Sequence, residues 1–230
     1  MICKLCVFRH AETFDNCRGI FSGWRDSELT QKGLMQAQKM AEQLKNYQID
    51  YAFTSHLKRA RKTLEIALQG QTSVPIFVDD RLIERCYGVL QGKNKRKMAC
   101  ENPEWYAQIH RGYNVVPPDG ESLKMVESRV TSFLDQLKDW LEQNMGNVAI
   151  SCHNNSIRPI RKIFEHLSIE QTLELESPQD SALIYDFHLC NLSNKCLREK
   201  IGKPNWEGVV IPRKVKLATD SLNLLKAHYR

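Results

Sequence analysis

Three short stretches of this 230-residue chain concentrate imidazole and guanidinium groups. Arg9-His10-Ala11-Glu12-Thr13 follows one apolar run, Thr54-Ser55-His56-Leu57-Lys58-Arg59 a second, and His153-Asn154-Asn155-Ser156 a third. A neutral imidazole nitrogen can attack phosphorus at pH 7, because its unperturbed pKa lies near that value. An arginine fork binds two oxygens of an anion together, which suits the equatorial oxygens of a transferring phosphoryl group. Two His and two Arg brought to one rim would form such a set. No member is diagnostic alone. A strand-end histidine is usually structural, and Glu84-Arg85 by itself would be an ordinary surface ion pair.

The elements that must position these groups follow from periodicity. Lys4 to Phe8 reads as a buried strand, and residues 11–29 read as a loop. Thr30 is expected to cap a helix running from Gln31 to about Asn46, with Leu34, Ala37, Ala41 and Leu44 on one face. Tyr51 to Thr54 is a strand, and Ser55 is expected to cap the next helix. Val74 to Val78 is a further strand, residues 79–97 are turn-like and charged, and a helix is expected over 104–110. After an irregular stretch containing Pro117-Pro118, the spacing predicts a long amphipathic helix over 122–144 through Leu123, Val126, Val130, Phe133, Leu137 and Leu141. A strand over 148–152, a helix over 157–167 and a strand over 182–187 complete the pattern.

Such alternation predicts an α/β three-layer sandwich, a mostly parallel central sheet flanked by helices, with residues 79–120 inserted over the C-terminal ends of the strands. Ligands of these sheets bind beyond the carboxyl ends of the strands, where all three clusters fall. A single domain over 1–230 is expected, the last part (about 194–230) being a basic tail.

Composition narrows the classes of function. The net charge is +6, from 33 basic and 27 acidic residues. Residues 194–230 hold 9 basic and 3 acidic side chains, so residues 1–193 balance at 24 and 24. A nucleic-acid surface spanning the whole protein is therefore not expected; Lys93-Asn94-Lys95-Arg96-Lys97 alone would be a solvated basic turn. The apolar run at the start is too short for a signal-peptide core or a spanning helix, which predicts a soluble, cytoplasmic protein without membrane association. Eight cysteines without framework spacing read as reduced thiols. Cys3 and Cys6 form a CxxC pattern, but in a strand they face opposite sides, so no metal site is expected from them. Cys152-His153 with His188 and Cys190 lacks zinc spacing as well.

Read together, these segments resemble the cofactor-dependent phosphoglycerate mutases within the histidine phosphatase superfamily. The resemblance runs over about residues 4–187. It rests on Arg9-His10-Ala11-Glu12-Thr13 with Asn16, Phe21-Ser22-Gly23-Trp24-Arg25-Asp26, Leu29-Thr30-Gln31-Lys32-Gly33, Thr54-Ser55 with Arg59, Glu84-Arg85-Cys86-Tyr87-Gly88 with Lys95, His110-Arg111-Gly112-Tyr113, Gly120-Glu121-Ser122-Leu123 and His153-Asn154-Asn155-Ser156-Ile157-Arg158. It departs from the family at Ala11 and Asn154, where Gly is usual, at His110, where the mutases have Arg, and in lacking a long insertion before Gly120.

The resemblance implies a phosphohistidine enzyme. His10 would carry the phosphoryl group; Arg9, Arg59 and His153 would stabilise its transfer; Glu84 would act as general acid and base. Thr13, Asn16, Ser22, Gly23, Arg85, Tyr87, Lys95, His110, Arg111, Asn154 and Asn155 would line the substrate site. The implied reaction interconverts 3-phosphoglycerate and 2-phosphoglycerate, primed by 2,3-bisphosphoglycerate and without a metal. A phosphatase using the same phosphohistidine is the alternative, and a non-catalytic binding or scaffold module is a third. Relatives are often dimers or tetramers, so a homo-oligomer is expected by analogy.

Overall fold

The computed structural model describes residues 2–188 and 210–212. Strand β1 (Ile2–Arg9) lies inside the sheet because Leu5, Val7 and Cys6 give it two apolar faces. On one side it pairs in parallel with β4 (Val148–Cys152), Arg9 opposite Cys152. On the other it pairs antiparallel with β5 (Leu183–His188). Beyond β4 come β2 (Tyr51–Thr54) and β3 (Ile76–Val78), both parallel, and beyond β5 lies antiparallel β6 (Val210–Pro212). The sheet order is β3-β2-β4-β1-β5-β6. The mostly parallel α/β architecture expected from the sequence is the one observed.

Each face of the sheet carries its own helices. One core holds Leu5, Val7, Val148 and Ile150 against Val126, Val130, Phe133, Leu134, Leu137 and Leu141 of α6 (Leu123–Gln143) and Ile157, Ile160 and Phe164 of α7 (Asn154–Phe164). The other holds Cys6, Phe8, Ala52 and Ala149 against Ala37, Met40 and Leu44 of α2 (Gln31–Leu44) and Leu64 and Ala67 of α3 (Lys58–Ala67). Cys3 belongs to the first core and Cys6 to the second, so their sulfurs lie on opposite sides of the sheet. Burying each such Leu, Ile or Phe side chain is worth about 1.5–3 kcal/mol.

The caps at Thr30 and Ser122 form as the sequence suggests. Thr30 Oγ1 accepts from Gly33 N at 3.0 Å, and Ser122 Oγ accepts from Met125 N at 3.2 Å. Ser55 does not cap: α3 begins after Leu57, which makes no side-chain cap bond. Two short helices were not expected, α1 (Phe14–Cys17) and α8 (Ile169–Leu173). Each spans barely one turn, too little for a periodic stripe, and each is held instead by a capping box, Thr13 with Asn16 and Ser168 with Gln171. α7 starts at Asn154, three positions before its first apolar residue, which places Asn154 and Asn155 in its first turn.

The inserted region packs around a small core of its own, Phe21, Tyr87, Leu90, Met98 and Ile109. It includes α4 (Lys95–Glu101), within part of the stretch read as turns, and α5 (Pro103–Arg111), which Asn102 caps and Pro103 opens. Gly88 has φ +53°, and a Cβ there would meet the Pro118 carbonyl. Among the described residues, no helix is long and apolar enough to cross a membrane. Of the basic tail only β6 is described; the rest of it, with Cys190, Cys196 and His228, lies outside the described residues.

Candidate active site

The parallel pairing of β1 with β4 brings the site together. His10 N continues the ladder by donating to Cys152 O at 2.9 Å, so His10 and His153 leave adjacent strand ends side by side. Their rings stand 5.2 Å apart between centroids and are tilted by 58°. Both are buried.

The hydrogen bonds fix the tautomer of His10. Its Nδ1 lies 2.8 Å from Ala11 O, a carbonyl that can only accept, so Nδ1 carries the proton. Nε2 is then the lone-pair nitrogen, and it accepts from Arg59 Nε at 3.2 Å. Burial is the largest influence on this ring and the guanidiniums of Arg59 and Arg9 add to it, holding its pKa well below the ordinary histidine value. His10 is therefore neutral at pH 7, with its lone-pair nitrogen turned toward a guanidinium. His153 is held neutral by the same causes, burial first and then Arg59. Its Nε2 sits 2.8 Å from Ser55 Oγ. Ser55, expected as a helix cap, instead fixes this ring.

Arg59 is clamped from behind. Its Nη1 donates to Arg25 O and its Nη2 to Gly23 O, each at 2.7 Å. Gly23 has φ +54°, which favours glycine, and a Cβ there would collide with the Gln91 side chain. Burial pulls the Arg59 pKa down while Glu84 and Asp26 push it up. Arg9 is buried; its Nη1 is 3.5 Å from Ser177 O, and its Nε has no hydrogen-bond partner among the described residues. The buried Glu84 accepts from Arg85 N at 2.8 Å through Oε1, while its backbone carbonyl accepts from Trp24 Nε1 at 2.7 Å.

Arg9, His10, Asn16, Ser22, Gly23, Arg59, Glu84, Tyr87, Lys95, His110, Asn154 and Asn155 line one cavity enclosing about 50 Å³ of solvent-reachable space. Lys95 Nζ stands 5.3 Å from the centre of the Phe21 ring, and His110 stacks on Tyr106 with centroids 5.1 Å apart. Asn155 Nδ2 donates to Tyr87 OH at 3.0 Å, tying α7 to the inserted region.

Two residues expected at the substrate site, Thr13 and Arg85, are not among those lining the cavity. Thr13 is committed to the α1 cap, its hydroxyl accepting from Asn16 N at 3.3 Å. Arg85 is fully buried elsewhere: its Nε, Nη1 and Nη2 donate to the carbonyls of Glu121, Ile109 and Val115 at 2.6, 2.8 and 2.9 Å. It fastens the inserted region together. The Arg111 side chain lies outside the described residues.

Ile20, Arg158 and Glu176 line the cavity without having been singled out as site residues. Arg158 stands four residues after Asn154, one helical turn on, so helix geometry could have found it. Ala11 and Asn154, which replace glycines of the family pattern, have no positive φ, so neither is strained by its side chain. Among the described residues, no group of three or more His, Cys, Asp or Glu is arranged to hold a metal ion.

Comparison with known proteins agrees with this geometry. The sequence profile of the histidine phosphatase superfamily (branch 1) matches residues 5–197. The chain is 32% identical over 210 residues to a 2,3-bisphosphoglycerate-dependent phosphoglycerate mutase of Chlamydia trachomatis, covering 80% of this chain and 93% of that protein. A Protochlamydia amoebophila protein of the same name is 32% identical over 217 residues, covering 80% and 95%. Among solved structures, the alpha-ribazole phosphatase of Shigella flexneri superposes with TM-score 0.70 at 24% identity, covering 80% of this chain and 91% of that one. A mycobacterial glucosyl-3-phosphoglycerate phosphatase superposes with TM-score 0.71 at 22% identity, covering 82% and 92%. At those identities the structures show the fold alone. The profile match and the mutase relatives, together with paired imidazoles between buried guanidiniums, place the chain in the histidine phosphatase superfamily.

Proposed function

We propose that this enzyme interconverts 3-phosphoglycerate and 2-phosphoglycerate through a phosphohistidine at His10. The observation that carries the reading is one small cavity whose lining combines the neutral His10 with Arg9, Arg59, Lys95, His110 and Glu84, while the His153 ring packs against His10. A three-carbon phosphorylated acid carries a phosphoryl group and a carboxylate, and a lining with several cations suits both. The names of the 32%-identical relatives support the same reading.

The chain's residues divide the work as follows. His10 Nε2 attacks phosphorus and takes the phosphoryl group. Arg9 and Arg59 are fixed charges beside it, worth most in a site that excludes water. Glu84 protonates the departing alkoxide oxygen, then withdraws a proton from the hydroxyl that attacks the phosphohistidine. Arg9, Arg59 and Lys95 would hold the 2,3-bisphosphoglycerate primer, which supplies the first phosphoryl group; a lining with these three cations fits an anion of that kind.

A phosphatase is the second reading. The chain runs from the end of α5 at Arg111 to Gly120 through eight residues, so no long segment is available there to cover the site. Water reaching phospho-His10 would turn transfer into hydrolysis. An enolase-coupled assay with and without 2,3-bisphosphoglycerate separates the two. Primer-dependent isomerisation is expected. Steady phosphate release without isomerisation would replace the mutase reading with the phosphatase one. Absence of both activities and of any acid-labile phosphate would leave a binding module.

A further inference from the structure

The wall formed by the first turns of α7 and residues 175–177 carries a carboxylate that the mechanism above does not use. Glu176 lines the same cavity as His10 and Arg59. Its side chain is only 13% exposed, with Oε1 3.7 Å from Arg158 Nη2. Its other oxygen, Oε2, accepts from Asn154 Nδ2 at 3.4 Å. The surroundings hold it in place. Arg158 Nε and Nη2 donate to Leu175 O at 3.2 and 3.0 Å, and Asn154 Oδ1 accepts from Ser177 N at 3.2 Å. Arg158 Nη1 donates to Asn155 Oδ1 at 2.7 Å.

A fixed carboxylate has a defined effect in a cavity built for anions. Paired with Arg158, it cancels that guanidinium's charge, so this wall attracts anions far less than the Arg9, Arg59 and Lys95 positions do. A second anion brought against it meets repulsion that partial burial leaves only partly screened. A hydroxyl or an ammonium there finds an acceptor.

We propose that Glu176 is a specificity-determining residue: it disfavours phosphomonoesters that press a second anionic group against the α7 wall and favours those presenting a hydroxyl or ammonium there. A substrate carboxylate is thereby directed toward the Lys95 and His110 side. The proposal rests on the phosphoryl-accepting role of His10 and adds which esters that site accepts.

The test uses phenyl phosphate, 2-carboxyphenyl phosphate and 4-carboxyphenyl phosphate with the full-length enzyme. For each carboxylated ester, kcat/KM is divided by that of phenyl phosphate. In Glu176→Gln and Glu176→Ser this ratio should rise about fivefold for at least one isomer, the scale of one partly screened like-charge repulsion. Glu176→Asp should keep the wild-type ratio. Unchanged ratios for both isomers in the Gln and Ser variants would overturn the proposal, as would an equal rise in the Asp variant. Should the wild type turn over no aryl ester, dissociation constants of the same three esters measured by calorimetry give the corresponding ratios and decide the Glu176 question, while the role of His10 is decided separately by acid-labile phosphate on the protein after exposure to 2,3-bisphosphoglycerate.

Discussion

At the scale of single residues, the chemistry rests on imidazoles kept neutral and aimed. His10→Gln retains an acceptor of similar reach but no nucleophile, and should abolish acid-labile phosphate on the protein after brief exposure to 2,3-bisphosphoglycerate. Retained labelling at the wild-type level would move the acceptor elsewhere. Ser55 offers a subtler test. Ser55→Ala removes the partner of His153 Nε2, a buried bond at 2.8 Å whose loss costs about 1–3 kcal/mol. A fall in kcat of about tenfold or more is expected, with partial recovery in Ser55→Thr; a stability loss with unchanged kcat would reduce Ser55 to a packing role. His10, His153 and Arg59 were legible in the sequence because each follows a strand and the parallel-sheet rule gathers such ends. Ser55 was misread because its cap-like position said nothing of a partner 98 positions away in the chain. Glu176 was invisible for the same reason, since nothing in residues 174–178 signals what they face.

At the scale of elements, close approaches decide more than propensities. Gly33 sits in the first turn of α2, where alanine would ordinarily gain about 1 kcal/mol of helix propensity. Here a Cβ would stand 2.1 Å from the backbone oxygen of Glu12, in the loop that follows His10. Gly33→Ala should therefore destabilise by about 1–3 kcal/mol as the helix or the loop shifts, read as a lower urea midpoint. A raised midpoint would show the loop yields freely. Long elements were legible from their stripes: α6 spans Leu123–Gln143 against an expected 122–144, and β2 and β4 match their expected bounds. The short helices α1 and α8 were not. Strand β3 is shorter than expected and exposed at all three residues, an edge whose apolar composition imitates a buried strand.

At the scale of the molecule, the site's electrostatics couple to stability. His10 and His153 have folded-state pKa values well below the ordinary 6.5, so below about pH 6.5 the unfolded chain binds protons that the folded chain refuses. Their contribution is fully present above that pH and is lost as pH falls through it, by up to about 1.4 kcal/mol per pH unit for each ring. Urea midpoints should drop steadily from pH 7 to pH 5, and His153→Asn should flatten the slope. An unchanged slope would mean that the rings are already protonated in the folded protein, or exposed.

The place of β1 in the sheet has a consequence for how the chain is made. The most N-terminal strand described is flanked only by strands from the last third of the described sequence, with Lys4 N bonded to Asn147 Oδ1 across 143 positions. Closing so large a loop is entropically slow, and until β4 arrives the first strand has no neighbour in the sheet. A ribosome-bound chain ending before residue 148 should leave residues 2–9 open to protease, and one extended well past residue 188 should protect them. His10 is thus translated well before the strand that sets it beside His153, which delays assembly of the site until most of its scaffold has been made.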